Sequence, residues 1–205
     1  MSERVNPISL RSKRLIVESL MSIMEEKPFS KIAIRDIVEK AGLTRQTFYH
    51  NFKSKEEALM YKLDELFDGF FKIVVDNNVI TCEDIIYLYF RYWQTNENFL
   101  KLLIKNNLVY ILNLKYPEYF KIVQLIYLKD KGISDVEGEY VFAFITGAVI
   151  DLLVTWMNDG QVTTPREMSK FVMKILEGTF YDLHVSKAEK QSRIDYSEAQ
   201  KNMEI

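Results

Sequence analysis

One segment, from Ile34 to Leu59, limits what this chain can fold into more than any other. Apolar residues at helical spacing predict a helix over 34–41. Gly42 follows at once and is typical of a left-handed residue just beyond a helix end. Thr44 is a natural N-cap for a further helix over 45–52. Two short helices joined by so tight a turn form a helix-turn-helix, in which the first helix braces the second.

The second helix of this motif begins with polar side chains. In a helix-turn-helix these positions reach base edges in the major groove of DNA. An arginine suits the O6/N7 edge of guanine, a glutamine suits adenine, and a threonine suits a thymine methyl group or a phosphate. The alternative is an ordinary solvated helix face. We predict double-stranded DNA as the partner, contacted through Thr44, Arg45, Gln46 and Thr47.

The charge distribution agrees with a single DNA-binding module. Residues 1–62 hold 12 Lys and Arg against 8 Asp and Glu, a net charge of +4, whereas the remaining residues hold 15 against 21, a net −6. A basic end on an acidic body fits a polyanion that only one module contacts. Random fluctuation would also give a difference of this size, so the charge supports the motif without establishing it.

The same segment resembles the TetR family of bacterial transcriptional regulators over the first quarter to third of the chain. The similarity lies in the string Ala41-Gly42-Leu43-Thr44 and in the run from Thr47 to Leu59, TFYHNFKSKEEAL. Two departures are Ala33, where the family often has a capping threonine, and Val38, where alanine is usual. The resemblance implies that the DNA phosphates are contacted by Tyr49, His50, Asn51, Lys53 and Lys55.

The rest of the chain is also predicted to be helical. Seven glycines and four prolines in 205 residues are too few for the many turns of a sheet protein. We therefore predict an all-α protein: a three-helix helix-turn-helix domain (1–54), a helical ligand-binding and dimerisation domain (55–185) and a flexible tail (186–205). The other predicted helices are 10–26, 55–76, 81–96, 99–114 with a possible break near Asn106, 117–129, 139–158 and 165–185.

A weaker resemblance to the same family lies in the last two predicted helices. Gly147 to Trp156 is an apolar helix with a glycine and a terminal tryptophan, and Thr164-Pro165-Arg166-Glu167 is a strong helix start. The resemblance implies a homodimer in which these helices pair with their mates in a four-helix bundle. The residues expected at that interface are Val149, Leu152, Leu153, Trp156, Phe171 and Ile175.

Aromatic residues are dense between Phe67 and Trp156. In a ligand-gated regulator such residues line an apolar pocket, although most aromatic stripes at helical spacing are ordinary core. The residues favoured for a pocket are Tyr89, Trp93 and Tyr127, with a small apolar or aromatic effector. The resemblance implies a repressor that the effector releases from a palindromic operator. The alternatives are an activator, or a nucleoid or partner-interaction protein without an effector.

Enzymatic, metal-binding and membrane functions find little support. His50, His184 and the lone Cys82 have no metal-ligand spacing, and no glycine-rich phosphate loop occurs. No catalytic residue, metal or cofactor is therefore predicted. A single cysteine and the lack of an apolar leader fit the cytoplasm. The apolar run from Tyr140 to Met157 is of borderline length for a membrane span, but Asp151 lies within it, so a helix buried on most sides in a soluble protein is favoured.

Overall fold

The computed structural model describes residues 7–77, 81–117 and 135–178. These residues form helices and connecting turns without a strand, which confirms the all-α prediction. The helices are α1 (Pro7–Glu26), α2 (Ile34–Ala41), α3 (Arg45–Asn51), α4 (Lys55–Asp76), α5 (Cys82–Thr95), α6 (Glu97–Lys105), α7 (110–117), α8 (Asp135–Asn158) and α9 (Pro165–Leu176), and a 3-10 turn (Phe29–Lys31) joins α1 to α2.

The residues predicted to end and start the helices of the helix-turn-helix do so in the structure. Gly42 follows α2 with φ +64°, a left-handed conformation that glycine adopts without steric cost. The Thr44 and Ser54 side chains cap α3 and α4 by accepting the backbone N–H groups of Thr47 and Glu57. Apolar residues of α1, α2, α3 and α4 pack in one core. Five of them have no exposed surface: Ile16, Leu20, Ile37, Phe48 and Leu59.

Several predicted boundaries differ from the structure. Helix α1 includes residues 7–9, which the predicted helix left out, and Pro7 there is compatible with a first helical turn. Pro117 continues the helical residues 110–116 instead of starting a helix. Helix α9 ends at Leu176 instead of Val185, because Gly178 turns left-handed with φ +76° and its N–H donates to the carbonyl of Ile175. The predicted tail and most of the predicted helix 117–129 lie outside the described residues.

The chain divides into two compact units. Of the described residues, the first unit comprises 7–77, 92–117 and 135–162, and the second comprises 81–91 and 163–178. The predicted domain boundary between residues 54 and 55 falls inside the first unit, where α4 packs on α1. In the second unit the predicted capping box of α9 is present, with Thr164 and Glu167 bonded to each other's backbone N–H groups. The Arg166 guanidinium there bonds to Asp84 at 3.2 Å and stacks over the ring of Tyr87.

Helix α8 differs from the prediction of a helix buried on most sides. Among the described residues, it is the one helix long and apolar enough to cross a membrane, judged by length and composition only, and 29% of its apolar window is buried. Thr146, Ile150, Leu153 and Met157 form its buried side. Its opposite side is an exposed stripe that begins with large aromatic rings and continues with small and polar residues: Tyr140, Phe144, Ala148, Asp151 and Thr155.

Candidate DNA interface

Helix α3 presents its first turn to solvent. Thr44 has extended backbone angles, and its hydroxyl accepts the N–H of Thr47 at 3.1 Å and lies 2.9 Å from the Thr47 hydroxyl. This N-cap starts the helix so that Arg45 and Gln46 extend from it as exposed side chains, while Thr47 is half-buried. Two adjacent, uncovered polar side chains on the first turn of a short helix have the placement that contact with base edges requires.

The other side of α3 holds the helix in place. Phe48 is fully buried, and its ring lies 6.2 Å from that of Phe52, centroid to centroid. Phe52 in turn packs edge-on against Tyr61 of α4 at 5.6 Å. Above these last two rings lies the ammonium of Lys13 from α1, 5.8 Å and 5.0 Å from the ring centroids. The aromatic contacts fix the polar turn of α3 relative to α1 and α4.

Three of the predicted phosphate contacts are exposed around the end of α3. Tyr49, His50 and Lys53 are all accessible to solvent. The backbone N–H of Lys53 donates to the carboxylate of Glu57, which fixes the chain where α3 turns into α4. The Lys53 side chain extends from this fixed backbone. An ammonium, an imidazole and a phenol on one edge of the motif are groups that commonly bind the phosphates of a duplex.

The structure directs the other two predicted phosphate contacts inward. The Asn51 amide accepts the Ser9 hydroxyl at 2.8 Å and donates to the Thr47 carbonyl at 2.8 Å, which ties α1 to the end of α3. The Lys55 ammonium donates to the carbonyls of Phe29 and Ile32 at 2.6 and 2.9 Å and lies 4.3 Å from the centroid of the Phe29 ring. Both side chains therefore brace the motif, and a direct phosphate contact by either remains a prediction.

Replacing Lys55 with methionine tests whether its ammonium stabilises the helix-turn-helix, binds a DNA phosphate, or does both. We expect the free energy of unfolding to fall by about 1–2 kcal/mol, because two charge-assisted hydrogen bonds at a partly solvated site are removed. The salt dependence of DNA binding should stay as in the wild type. The matched control is Lys53→Met, which should leave stability unchanged and flatten the salt dependence. Urea denaturation and DNA titrations at several salt concentrations measure both quantities. A flattened slope in Lys55→Met would show that Lys55 binds phosphate.

The start of α2 carries half of a capping box. Ala33 has the extended angles of an N-cap, φ −89° and ψ 153°, but its side chain has no acceptor. The Asp36 carboxylate supplies the reciprocal half by accepting the Ala33 N–H at 3.0 Å and also pairs with Lys27. The Lys27 side chain and then the Ala33 amide lower the pKa of Asp36. Because its pKa is lowered, the ionised Asp36 stabilises the folded state at any pH above its pKa in the unfolded chain. This stabilisation is lost as the pH falls through the pKa of Asp36 in the folded protein.

We expect Ala33→Thr to raise the free energy of unfolding by about 1 kcal/mol. The new hydroxyl would accept the N–H of Asp36, the interaction that α3 and α4 already have at their own N-caps. Denaturation in urea, with an unchanged m-value, measures the gain. Ala33→Val is the matched control, since it adds similar bulk without an acceptor. Equal stability of the two variants would rule out the capping explanation.

Two of the three residues predicted for an effector pocket lie among the described residues. Trp93 is buried, Tyr89 is half-buried, and Tyr127 lies outside the described residues. The structure does show a small open cleft of about 230 Å³ in the first unit. Its lining contains neither Tyr89 nor Trp93 and consists of Glu25, Asn98, Lys101, Leu102 and Lys105. The effector pocket therefore remains a prediction.

The residues predicted for the dimer interface differ in accessibility. Leu153 and Trp156 are 0% and 3% exposed within the chain itself, because they lie on the buried side of α8, so they offer almost no surface to a partner. Val149 and Leu152 are half-buried. On α9, Phe171 is exposed and Ile175 is half-buried. The most accessible surface that α8 offers a partner is its exposed stripe.

A metal-binding group is not seen in the described parts of the chain. Over residues 7–77, 81–117 and 135–178, no three His, Cys, Asp or Glu side chains are grouped so as to hold a metal ion. Cys82 is exposed. The site that the structure does assemble is the polar turn of α3.

Comparison with known proteins agrees with this site. The family described as "Bacterial regulatory proteins, tetR family" matches residues 16–59, and "Transcriptional regulator C-terminal region" matches residues 80–178. The dhaKLM operon transcriptional activator DhaS of Lactococcus lactis is 25% identical over 130 residues, which cover 63% of this chain and 64% of the relative. The match thus spans less than two thirds of that relative's length.

Solved structures show the same fold. Lin0861 from Listeria innocua has a TM-score of 0.73 at 16% identity, covering 87% of this chain and 96% of its own. A TetR transcriptional regulator from Streptococcus agalactiae has a TM-score of 0.63 at 22% identity, covering 82% and 94%. These relatives are regulators rather than enzymes where their names state a function. The two matched family regions together take in most of the chain, and the protein belongs to the TetR family of bacterial transcriptional regulators.

Proposed function

We propose that this regulator binds DNA as a homodimer, with the first turn of α3 from each subunit in the major groove of one half of an inverted repeat. The observation that carries the proposal is the exposure of Arg45 and Gln46 on a helix whose other side is anchored by the buried Phe48. A helix as short as α3 contacts few base pairs. Two copies spaced by about one helical turn of DNA, roughly 34–36 Å, supply a site of useful length.

The dimer surface we propose includes the exposed stripe of α8. Tyr140 and Phe144 are 75% and 71% exposed, although large aromatic side chains gain most from burial. After these rings the stripe continues with Ala148, whose small side chain allows a second helix to approach closely. Asp151 and Thr155 supply hydrogen-bonding groups at the lower end of the stripe. Covering this stripe with a partner's α8 gives the apolar helix the burial that the single chain does not.

A small-molecule effector is proposed to act through α4. This helix runs unbroken from Lys55, which braces the helix-turn-helix, to Asp76 in the body. A ligand that moved the far end of α4 would therefore change the spacing of the two recognition helices and lower the affinity for the operator, as in a repressor. Such a ligand shifts the equilibrium only by its difference in affinity for the two arrangements.

An activator is the second candidate. The specific observation in its favour is the similarity to DhaS, whose name describes a transcriptional activator. The DNA contacts proposed here serve either role equally. Transcription from a promoter carrying the selected site, with and without the purified protein, distinguishes the two: a repressor lowers the transcript level and an activator raises it.

Selection of bound sites from random duplex DNA tests the proposal. We expect an inverted repeat whose half-sites lie about one helical turn apart, bound by two chains, as measured by analytical ultracentrifugation of the complex. The control is the same selection with a variant in which Arg45, Gln46 and Thr47 are all alanine, which should enrich no sequence. Salt-sensitive binding of all DNA without enrichment by the wild type would refute specific regulation and favour a nucleoid role without an effector.

A further inference from the structure

Helix α6 ends in a turn that fixes the direction of one side chain. The Leu108 N–H donates to the carbonyl of Leu103 at 2.8 Å, and the Asn107 N–H donates to the carbonyl of Ile104 at 3.1 Å. The backbone of Asn107 is left-handed, with φ 57°. This pair of hydrogen bonds is the Schellman motif, in which asparagine is an accepted substitute for glycine. The motif ends the helix at Lys105 and places Asn106 at its C-cap.

Asn106 bonds to two distant parts of the chain. Its amide nitrogen donates to the carbonyl of Leu102 in α6 at 2.9 Å. Its amide oxygen accepts the backbone N–H of Phe29 at 2.7 Å, across a sequence separation of 77 residues. The side chain is half-buried. An amide used at both ends has one orientation only, so it is a directional connection and not a loose surface contact.

The group that Asn106 holds belongs to the helix-turn-helix. Phe29 opens the 3-10 turn between α1 and α2, and its side chain is buried. The Lys105 ammonium donates to the carbonyl of Glu25 at 2.6 Å, just before this turn. From the other direction, Lys55 of α4 bonds to the carbonyls of Phe29 and Ile32. The α1–α2 connector is thus fixed by side chains from both α4 and α6.

The consequence for α3 follows from packing. Only Ile32 and Ala33 separate the 3-10 turn from α2, and the buried side chains of Ile37 in α2 and Phe48 in α3 belong to one core. Close-packed cores move as units, so a shift of the connector displaces α2 and α3 together. The amide of Asn106 therefore joins the end of α6 to the position of the recognition helix.

We propose that Asn106 is a positioning residue for DNA binding: its side chain, clamped on the Phe29 amide, couples the C-terminus of α6 to the helix-turn-helix and forms a second connection besides α4. The inference rests on the proposed DNA-binding function and adds a route for its regulation. A displacement of α6 alone, without a change in α4, would then alter operator affinity.

The test compares variants by two measurements. One is amide hydrogen exchange in the free protein at residues 29–32 and 45–51, and the other is affinity for the selected operator. We expect Asn106→Ala to speed exchange in both segments and to weaken operator binding by about three- to tenfold, the change that loss of one neutral hydrogen bond gives. Asn106→Asp keeps an acceptor for the Phe29 N–H and should stay within about twofold of the wild type.

Two control variants separate this connection from local effects. Asn77 caps α4 and, like Asn106, donates to the carbonyl four residues earlier, at 2.7 Å, so Asn77→Ala removes the same local bond and should change neither measurement. Asn107→Asp adds the charge of Asn106→Asp one residue away and should behave like it. Unchanged exchange at Phe29 in Asn106→Ala, or equal losses of affinity in Asn106→Ala and Asn77→Ala, would overturn the proposal.

Failure of the proposed function is recognisable separately. If the wild type selects no operator, specific DNA recognition is refuted whatever Asn106 does. Amide hydrogen exchange in the free protein then tests by itself whether Asn106 couples the end of α6 to α3. Faster exchange at both 29–32 and 45–51 in Asn106→Ala supports a physical link to α3, whereas faster exchange confined to 29–32 refutes it.

Discussion

Replacing Phe48 with alanine should lower the free energy of unfolding by about 3–5 kcal/mol and abolish binding to every DNA sequence. The ring is fully buried, and a phenylalanine truncated in a core loses its transfer free energy and leaves a cavity. The net stability of a domain is typically about 5–15 kcal/mol, so this loss removes a large share. Urea denaturation followed by circular dichroism gives the stability, and a DNA titration gives the binding.

The neighbouring residue provides the matched control. Tyr49 packs edge-on against Phe48, with 5.6 Å between ring centroids, but half of its surface is exposed. Tyr49→Ala should cost about 1 kcal/mol of stability or less. It should still weaken DNA binding, and equally for operator and unrelated duplexes, if the phenol contacts a phosphate. A folded Phe48→Ala variant that bound DNA normally would contradict the view that α3 depends on this core.

The helix-turn-helix was predictable because its signals are local. Gly42 and the N-caps Thr44 and Ser54 each act within a few residues of the bond they make. Their positions therefore fix the ends of α2, α3 and α4 before any tertiary contact forms. The predicted spans for α2 and α4 agree with the structure, and the end of α3 differs by one residue.

Side chains whose partners lie far along the chain could not be predicted in the same way. Asn51 bonds to Ser9, and Lys55 bonds to Phe29 and Ile32, at separations of 42, 26 and 23 residues. The family pattern places both residues near DNA, yet their polar atoms are used within the protein. The contact of Asn106 with Phe29 gave no sequence signal, because asparagine after a helix predicts only a turn.

The predicted burial of α8 on most sides was also wrong for the single chain. Its apolar sequence predicts burial, but hydropathy does not say whether the covering surface belongs to the same chain or to another. Tyr140 and Phe144 remain exposed while Leu153 and Trp156 are buried, so two of the residues expected at the dimer interface offer a partner almost no surface, whereas two aromatic residues outside that set are exposed. Side-specific exposure is a property of the packed helix and requires the structure.

Arg45→Ala should weaken operator binding by about 1–3 kcal/mol, roughly five- to 150-fold, and relax the preference at one base pair in each half-site. The reason is chemical. The Arg45 guanidinium is exposed on the first turn of α3, and a bidentate contact to guanine O6 and N7 discriminates against the other bases. Truncation to alanine should leave folding intact because the side chain is uncovered. Repeating the site selection with the variant measures the loss of preference directly.

Lys53→Ala distinguishes contact with bases from contact with phosphates. Lys53 is also exposed and cationic, but it lies beyond the end of α3, where the family pattern implies a phosphate contact. Its removal should weaken binding to operator and unrelated DNA alike and reduce the slope of log affinity against log salt by about 1 for each phosphate that its ammonium neutralises. Arg45→Ala should instead reduce the ratio between the two DNAs at every salt concentration. Equal losses on all sequences for Arg45→Ala would place its guanidinium on a phosphate and leave Gln46 as the remaining candidate for base contact.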